Sequence, residues 1–446
     1  TQANGAGNTL NVKGVNSAGT ISGFQKLHFD TEGASTTNPL LNITGGATTL
    51  DWNTLDASGT SVNRTTLLKN MNGINLSNHT AGTVKSKINE AGTTEYNIDV
   101  AKTGGTITDI TYQGYQFKGK TTATTEGTDT YGGRSKAGNT TTENELTVES
   151  GTHTNVYGGW TSGAGSTADA AKQKDSIGNK VTVKGTAAAT GDVIGGLTEV
   201  ADGKATGNTV TVEKDLAANI IGGKAAAEAS NNIVNLANAT VNSVTGGEGA
   251  TTNNNIVNLK GNAQVTGALK GGSAANGTGN TLNVKGKDNK AGSISGFQKM
   301  NFDATDASTD AAMLRTTGAT DVNWEMLTVK NAVASEKPLT LLENANGINL
   351  SGRTGDAVKS ELNADATMET NIDVRKTGSK VTAITYEGYT FKGATQATTY
   401  GTDTWAGRSK AGNTTQDNTL TLDDASKSYT NVYGGWTSGT GTKAAA

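Results

Sequence analysis

The sequence predicts an all-β chain, a parallel β-solenoid with loop excursions and coils of about 24 residues. Two nested repeats point to it. The long repeat carries whole phrases from one half of the chain to the other. Gly5 to Val12 (GAGNTLNV) returns as Gly277 to Val284 (GTGNTLNV), and Tyr112 to Gly119 (YQGYQFKG) as Tyr386 to Gly393 (YEGYTFKG). Gly133 to Thr141 (GRSKAGNTT) and Thr154 to Gly163 (TNVYGGWTSG) return unchanged at Gly407 to Thr415 and Thr430 to Gly439.

The fine repeat lies inside the long one. Gly pairs fall at Gly158-Gly159, Gly195-Gly196, Gly222-Gly223, Gly246-Gly247 and Gly271-Gly272, the last three steps being 27, 24 and 25 residues. Between them stands an Asn followed by alternating apolar residues. It heads Val181 and Val183 at Asn179, Val210 and Val212 at Asn208, and Val234 and Leu236 at Asn232. It heads Val257 and Leu259 at Asn255, and Leu282 and Val284 at Asn280. Period 2 sends the apolar residues to one face and the Thr and Asn between them to the other. One such coil cannot bury its own apolar row, whereas coils stacked about 4.8 Å apart can. Val156, Val193, Ile220, Val244 and Leu269, each two residues before a Gly pair, mark a second strand per coil. The Gly pairs read as corners with unusual backbone angles. The Asn read as corner residues whose stacked amides form a ladder through Asn179, Asn208, Asn232, Asn255 and Asn280.

At this period the chain holds roughly 18 coils. Four segments follow: 1–157 as repeat copy 1, 158–273 as a regular short-coil segment, 274–433 as copy 2, and 434–446 as the start of the next segment. The less regular strand runs of each copy, such as Tyr96 to Val100 and Ile107 to Tyr112, are expected to be further coils. Ser308 to Leu314 is expected as a short helix. The chain begins and ends inside its own repeat and reads as a piece of a longer protein.

The alternation of GNTVTV-type strands with VYGG or IIGG motifs resembles bacterial autotransporter passenger domains. So does Ile21 to Phe29 (ISGFQKLHF), repeated as Ile294 to Phe302 (ISGFQKMNF). The nearest likeness is to large repeat-rich adhesin or haemagglutinin-like passengers. That resemblance implies a right-handed parallel β-helix, outer-membrane secretion through a C-terminal barrel, and display outside the cell at the bacterial surface. The barrel and the GDSGS serine-protease motif of such passengers are absent from this sequence.

Composition excludes other classes. Lys plus Arg is 37 against 40 Asp plus Glu, with no long run of either sign, so nothing recommends nucleic acid as a partner. No apolar stretch reaches the roughly 20 residues of a membrane span. Cys is 0, so stability must come from stacking, which suits secretion through an oxidising compartment. The three histidines, His28, His79 and His153, stand opposite Asn301, Arg353 and Tyr429 in the other copy, which favours surface roles. Asp303, Asp306 and Asp310 share a loop, yet no metal or cofactor is expected. No catalytic set emerges; the expectation is a non-enzymatic adhesin segment, with a pure spacer or a polysaccharide-acting β-helix enzyme as alternatives.

The aromatic residues give the functional lead. Trp160 and Trp436 each follow a Gly pair, and Tyr131 and Trp405 precede Arg134 and Arg408 within Gly-Arg-Ser-Lys surroundings. Exposed rings beside Arg stack on sugars or grip proteins. These six residues are the candidate ligand-binding set. Host or bacterial surface glycans or proteins, or further copies of the chain, are the expected partners.

Overall fold

A computed structural model of the chain describes residues 6–163, 174–333, 335, 337–424 and 426–439. The fold is a parallel β-solenoid, 52% strand, of about 16 turns averaging about 26 residues. The turns are therefore fewer and longer than the fine repeat suggests, because the excursions lengthen them. Among the described residues there is no α-helix, only the 3₁₀ turns Trp52–Thr54 and Trp324–Met326. Ser308 to Leu314 forms turns leading into strand Leu314–Thr316, not a helix. Contacts divide the chain into two units: Thr1–Val210 with Gly222–Asn232 and Glu248–Thr251, and Thr211–Ile221 with Ile233–Gly247 and Thr252–Ala446.

In the first unit, strands Thr9–Lys13, Lys26–Asp30 and Leu55–Ser58 stack in parallel, setting Leu10 on Leu27 and Leu27 on Leu55. Further on, Glu145–Val148 lies on Lys180–Val183, with Leu146 over Val181 and Val148 over Val183. The second unit shows the same column at greater length. Val234, Val257, Leu282, Met300 and Leu327 follow one another in register, as do Leu236, Leu259, Val284, Phe302 and Val329. The first five are at most 1% exposed. Burial of each such side chain contributes roughly 1.5–3 kcal/mol, and the alternating spacing of the sequence is what aims them all inward.

Four of the five Gly pairs lie within strands, as in Val156–Thr161 and Asp192–Thr198, and Gly271-Gly272 directly follows strand Gln264–Lys270. Neither glycine of any of the five pairs has a positive φ, so the corner reading is wrong. The glycines are there for space. A Cβ on Gly158 would come 2.3 Å from the carbonyl oxygen of Gly195, and one on Gly195 would come 2.3 Å from that of Gly222. A Cβ on the second glycine would strike the Asn side chain of the fine repeat: Gly159 meets Asn179 Nδ2 at 2.4 Å and Gly196 meets the Asn208 amide at 2.5 Å.

The Asn are not corner residues either. The left-handed position is the residue before each: Gly178 (φ 65°), Gly207 (φ 67°), Asn231 (φ 59°), Asn254 (φ 55°) and Gly279 (φ 71°). Each Asn then turns its amide inward beneath the glycine. In the first unit Asn144 Nδ2 donates to Asn179 Oδ1 (2.7 Å), Asn179 to Asn208 (3.1 Å) and Asn208 to Asn232 (3.1 Å). In the second, Asn255 donates to Asn280 Oδ1 at 3.1 Å. Each amide also binds backbone. Asn208 Nδ2 donates to Ser176 O, and Asn208 Oδ1 accepts from Asn179 N (both 2.9 Å). All five Asn are at most 1% exposed, which their complete hydrogen bonding permits.

Candidate ligand-binding site

Each long repeat carries a long antiparallel hairpin. Strands Thr94–Thr103 and Thr106–Gln116 pair as a hairpin, with Lys85–Ile88 along one side. Their turn residues Gly104 (φ 58°) and Gly105 (φ 90°) are both left-handed, which matches the twist of a two-residue hairpin. In the second unit Met368–Thr377, Lys380–Thr390 and Lys359–Leu362 repeat the arrangement. The runs expected as coils at Tyr96 to Val100 and Ile107 to Tyr112 are thus hairpin strands.

The repeated Gly-Arg-Ser-Lys-Ala-Gly-Asn phrase grips this hairpin. Glu369, on the hairpin and fully buried, accepts hydrogen bonds from Ser409 Oγ (2.7 Å), Lys410 N (2.7 Å), Ala411 N (3.2 Å), Asn413 Nδ2 (2.7 Å) and Asn371 Nδ2 (2.8 Å). Glu95 is held the same way by Ser135, Lys136, Ala137, Asn139 and Asn97. A buried carboxylate survives only when so fully bonded. Sequence reading missed both glutamates. The unchanged phrase in the two copies was the available signal, because a run of donors with no visible acceptor needs one.

The grip fixes Arg408 and Lys410 beside the aromatic rings. The Arg408 guanidinium lies 3.9 Å from the Trp436 ring centre, 4.5 Å from Trp405 and 5.2 Å from Tyr389. Trp436 also stacks on Tyr433 at 4.9 Å. The Arg408 Nε and Trp405 Nε1 atoms are buried without a hydrogen-bond partner. In the first unit Arg134 lies 3.7 Å from the centre of Trp160, which packs against Tyr157 and Tyr131. Trp160, Trp436 and Arg408 are half-buried. Tyr131 and Trp405 are 1% exposed and Arg134 4%, so these three form no open surface. They pack between successive turns, where Tyr131 registers with Tyr157, Arg134 with Trp160 and Trp405 with Tyr433. Burial depresses the affinity of Arg134 for its proton.

Beside Arg408 a cleft of about 150 Å³, one of several in the second unit, opens to solvent, lined also by Pro338, Arg375, Glu387, Tyr389 and Tyr400. Tyr400 is 67% exposed. Lys410 bonds to Glu387, and to Asp373 Oδ2 at 2.9 Å. Burial works against the charge of Lys410, but the two carboxylates outweigh it and raise its pKa. Burial, then the nearby Glu387 charge, pushes the Tyr389 hydroxyl up. The copies differ here in a compensated way. Where the second has Glu387 and Tyr400, the first has Gln113 and Glu126, and Lys136 turns to Glu126 (3.5 Å) and Asp99 (3.4 Å). Both copies keep a second carboxylate on the lysine; moving it to Glu387 frees position 400 for an exposed ring.

Elsewhere, Asp303 accepts from Asn331 Nδ2 (2.9 Å) and Thr305 Oγ1 (2.7 Å), while Asp310 pairs with Lys337 (2.7 Å). Among the described residues, no three His, Asp or Glu side chains gather as a metal site would require. No family model, no curated protein and no solved structure matches the chain.

Proposed function

We propose that the chain is a segment of a bacterial surface adhesin, displayed outside the cell, that attaches through the Arg408 cleft to glycans or proteins of host or bacterial surfaces, with no catalytic step in attachment. One observation carries this reading. An exposed tyrosine, Tyr400, lines a cleft together with the half-buried Arg408 and the edge of a second ring, Tyr389. Aromatic faces stack on sugars, and a guanidinium fork takes carboxylate or hydroxyl oxygens. The repeats and the absence of cysteine agree with surface display, as does the resemblance to autotransporter passengers. Beads coated with the purified chain should adhere to epithelial cells or to bacteria, and beads coated with Tyr400→Ala should adhere less. Equal, background-level adhesion of both would refute attachment.

A spacer is the second reading. It is favoured by how completely the Asn ladder, the glutamate grips and most of the rings are consumed in holding turns together. A spacer adheres to nothing, so the bead assay separates the two.

A further inference from the structure

On the outward face of the first unit, three side chains of two adjacent strands form a relay that the solenoid itself does not require. His28, on Lys26–Asp30, registers with Asp56 on Leu55–Ser58. His28 Nδ1 lies 2.9 Å from Asp56 Oδ2, and His28 Nε2 lies 3.2 Å from Ser58 Oγ. Period 2 puts Asp56 and Ser58 on the same face of their strand, so one imidazole on the neighbouring strand reaches both. We propose that Ser58 is an activated nucleophile, with His28 as its base and Asp56 as the positioning residue, that accepts acyl groups from small activated esters.

The protonation pattern is set from one end. Partial burial pushes the Asp56 carboxyl up, but hydrogen bonds from Lys87 and His28 outweigh this and hold it at about 2. Lys87 Nζ sits 2.7 Å from Asp56 Oδ1, and Lys26 lies 3.8 Å from Oδ2. Asp56 is therefore an anion and can only accept, so Nδ1 carries a proton, and in the neutral imidazole Nε2 accepts from the Ser58 hydroxyl. Ser58 and His28 are both partly exposed, so a small ester reaches them. Asp30, opposite Ser58 in the register, is neutralised by Lys13 at 2.9 Å. At the matching places the second copy has Asn301, Thr328 and Lys330, with Thr328 bonded directly to Asn301. The strand stack is the same there, so the fold is indifferent to the relay.

In the reaction, Ser58 Oγ bonds to the acyl carbon while its proton passes to His28 Nε2. The imidazolium returns that proton to the departing alkoxide or phenoxide as the ester bond breaks. Water then attacks the acyl-serine by the same route, and the balance is ester plus water to acid plus alcohol.

The test is labelling of the whole chain with a fluorophosphonate, followed by peptide mass spectrometry, with p-nitrophenyl acetate as the second probe. A stoichiometric adduct is expected on the peptide carrying Ser58, absent in Ser58→Ala and formed at least tenfold more slowly in His28→Asn. That variant carries the second copy's own residue, so the strand accepts it. Asp56→Asn should also slow labelling, as a readout independent of packing at His28. A p-nitrophenol burst should follow the same order. The proposal is overturned if folded chain shows no adduct at Ser58, or if His28→Asn and Asp56→Asn label as fast as the unaltered chain. Either outcome leaves the attachment reading untouched, since the relay and the Arg408 cleft share no residue.

Discussion

Gly196 and Asn208 occupy one space, and that can be measured as a coupling. A Cβ at position 196 would lie 2.5 Å from Cγ, Nδ2 and Oδ1 of Asn208. Gly196→Ala alone must push the ladder amide aside, at a cost of about 2–3 kcal/mol for overpacking. Asn208→Ala alone removes the acceptor of Asn179 N (2.9 Å) and the donor to Ser176 O (2.9 Å). Two buried groups at 1–3 kcal/mol each bring that cost to about 4 kcal/mol. In the double variant the three atoms nearest the new methyl are gone, and the methyl fills part of the vacated space. The double variant should then be no less stable than Asn208→Ala, a coupling of about 2 kcal/mol against additivity. Because an array opens locally, the assay is amide hydrogen exchange of Asp192–Thr198, not a global midpoint. Additive costs within about 0.5 kcal/mol would refute the idea that the glycine exists to seat the asparagine.

Three further outcomes are expected. Val212 is fully buried, whereas Thr211 is partly exposed and accepts from Asn235 Nδ2 at 3.2 Å. Val212→Asp should therefore cost several kcal/mol, and Thr211→Asp about 1 kcal/mol or less, as read by limited proteolysis near residue 212. Glu369→Gln places an amide N–H₂ among five donors, and should loosen the hairpin by about 2–4 kcal/mol, seen as faster exchange in Met368–Thr377 and Lys380–Thr390. Asp56 has a folded pKa of about 2, below its ordinary 3.8, so its stabilising contribution is complete above about pH 5 and is lost as pH falls through 4 toward 2. Solvent screening limits it to about 1 kcal/mol, and Asp56→Asn should flatten the acid dependence of exchange in Leu55–Ser58.

The inward rows were legible in the sequence because the Asn-x-apolar-x-apolar phrase fixes a face by itself, and Val210, Val234 and Leu282 all point as the alternation requires. The Gly pairs were misread because their reason lies in another turn: Gly196 is glycine on account of Asn208, and Gly158 on account of a carbonyl at Gly195. The hairpin strands escaped because alternation of period 2 is the same in parallel and antiparallel sheets. The Arg134 and Trp405 surroundings were judged by residue type, which says nothing of burial when the covering turn comes more than twenty residues later. Glu95 and its grip are about 40 residues apart, and His28 and Ser58 are 30 apart, with no local phrase to join them.

Attachment through the Arg408 cleft is tested most directly by a glycan and host-protein array probed in parallel with the unaltered chain, Tyr400→Ala and Arg408→Lys. Arg408→Lys keeps the charge while removing the planar fork. The expected result is a small set of ligands bound by the unaltered chain, with the same spots weakened at least tenfold in both variants. No binding by the unaltered chain, or spots that all three proteins bind equally, would contradict it.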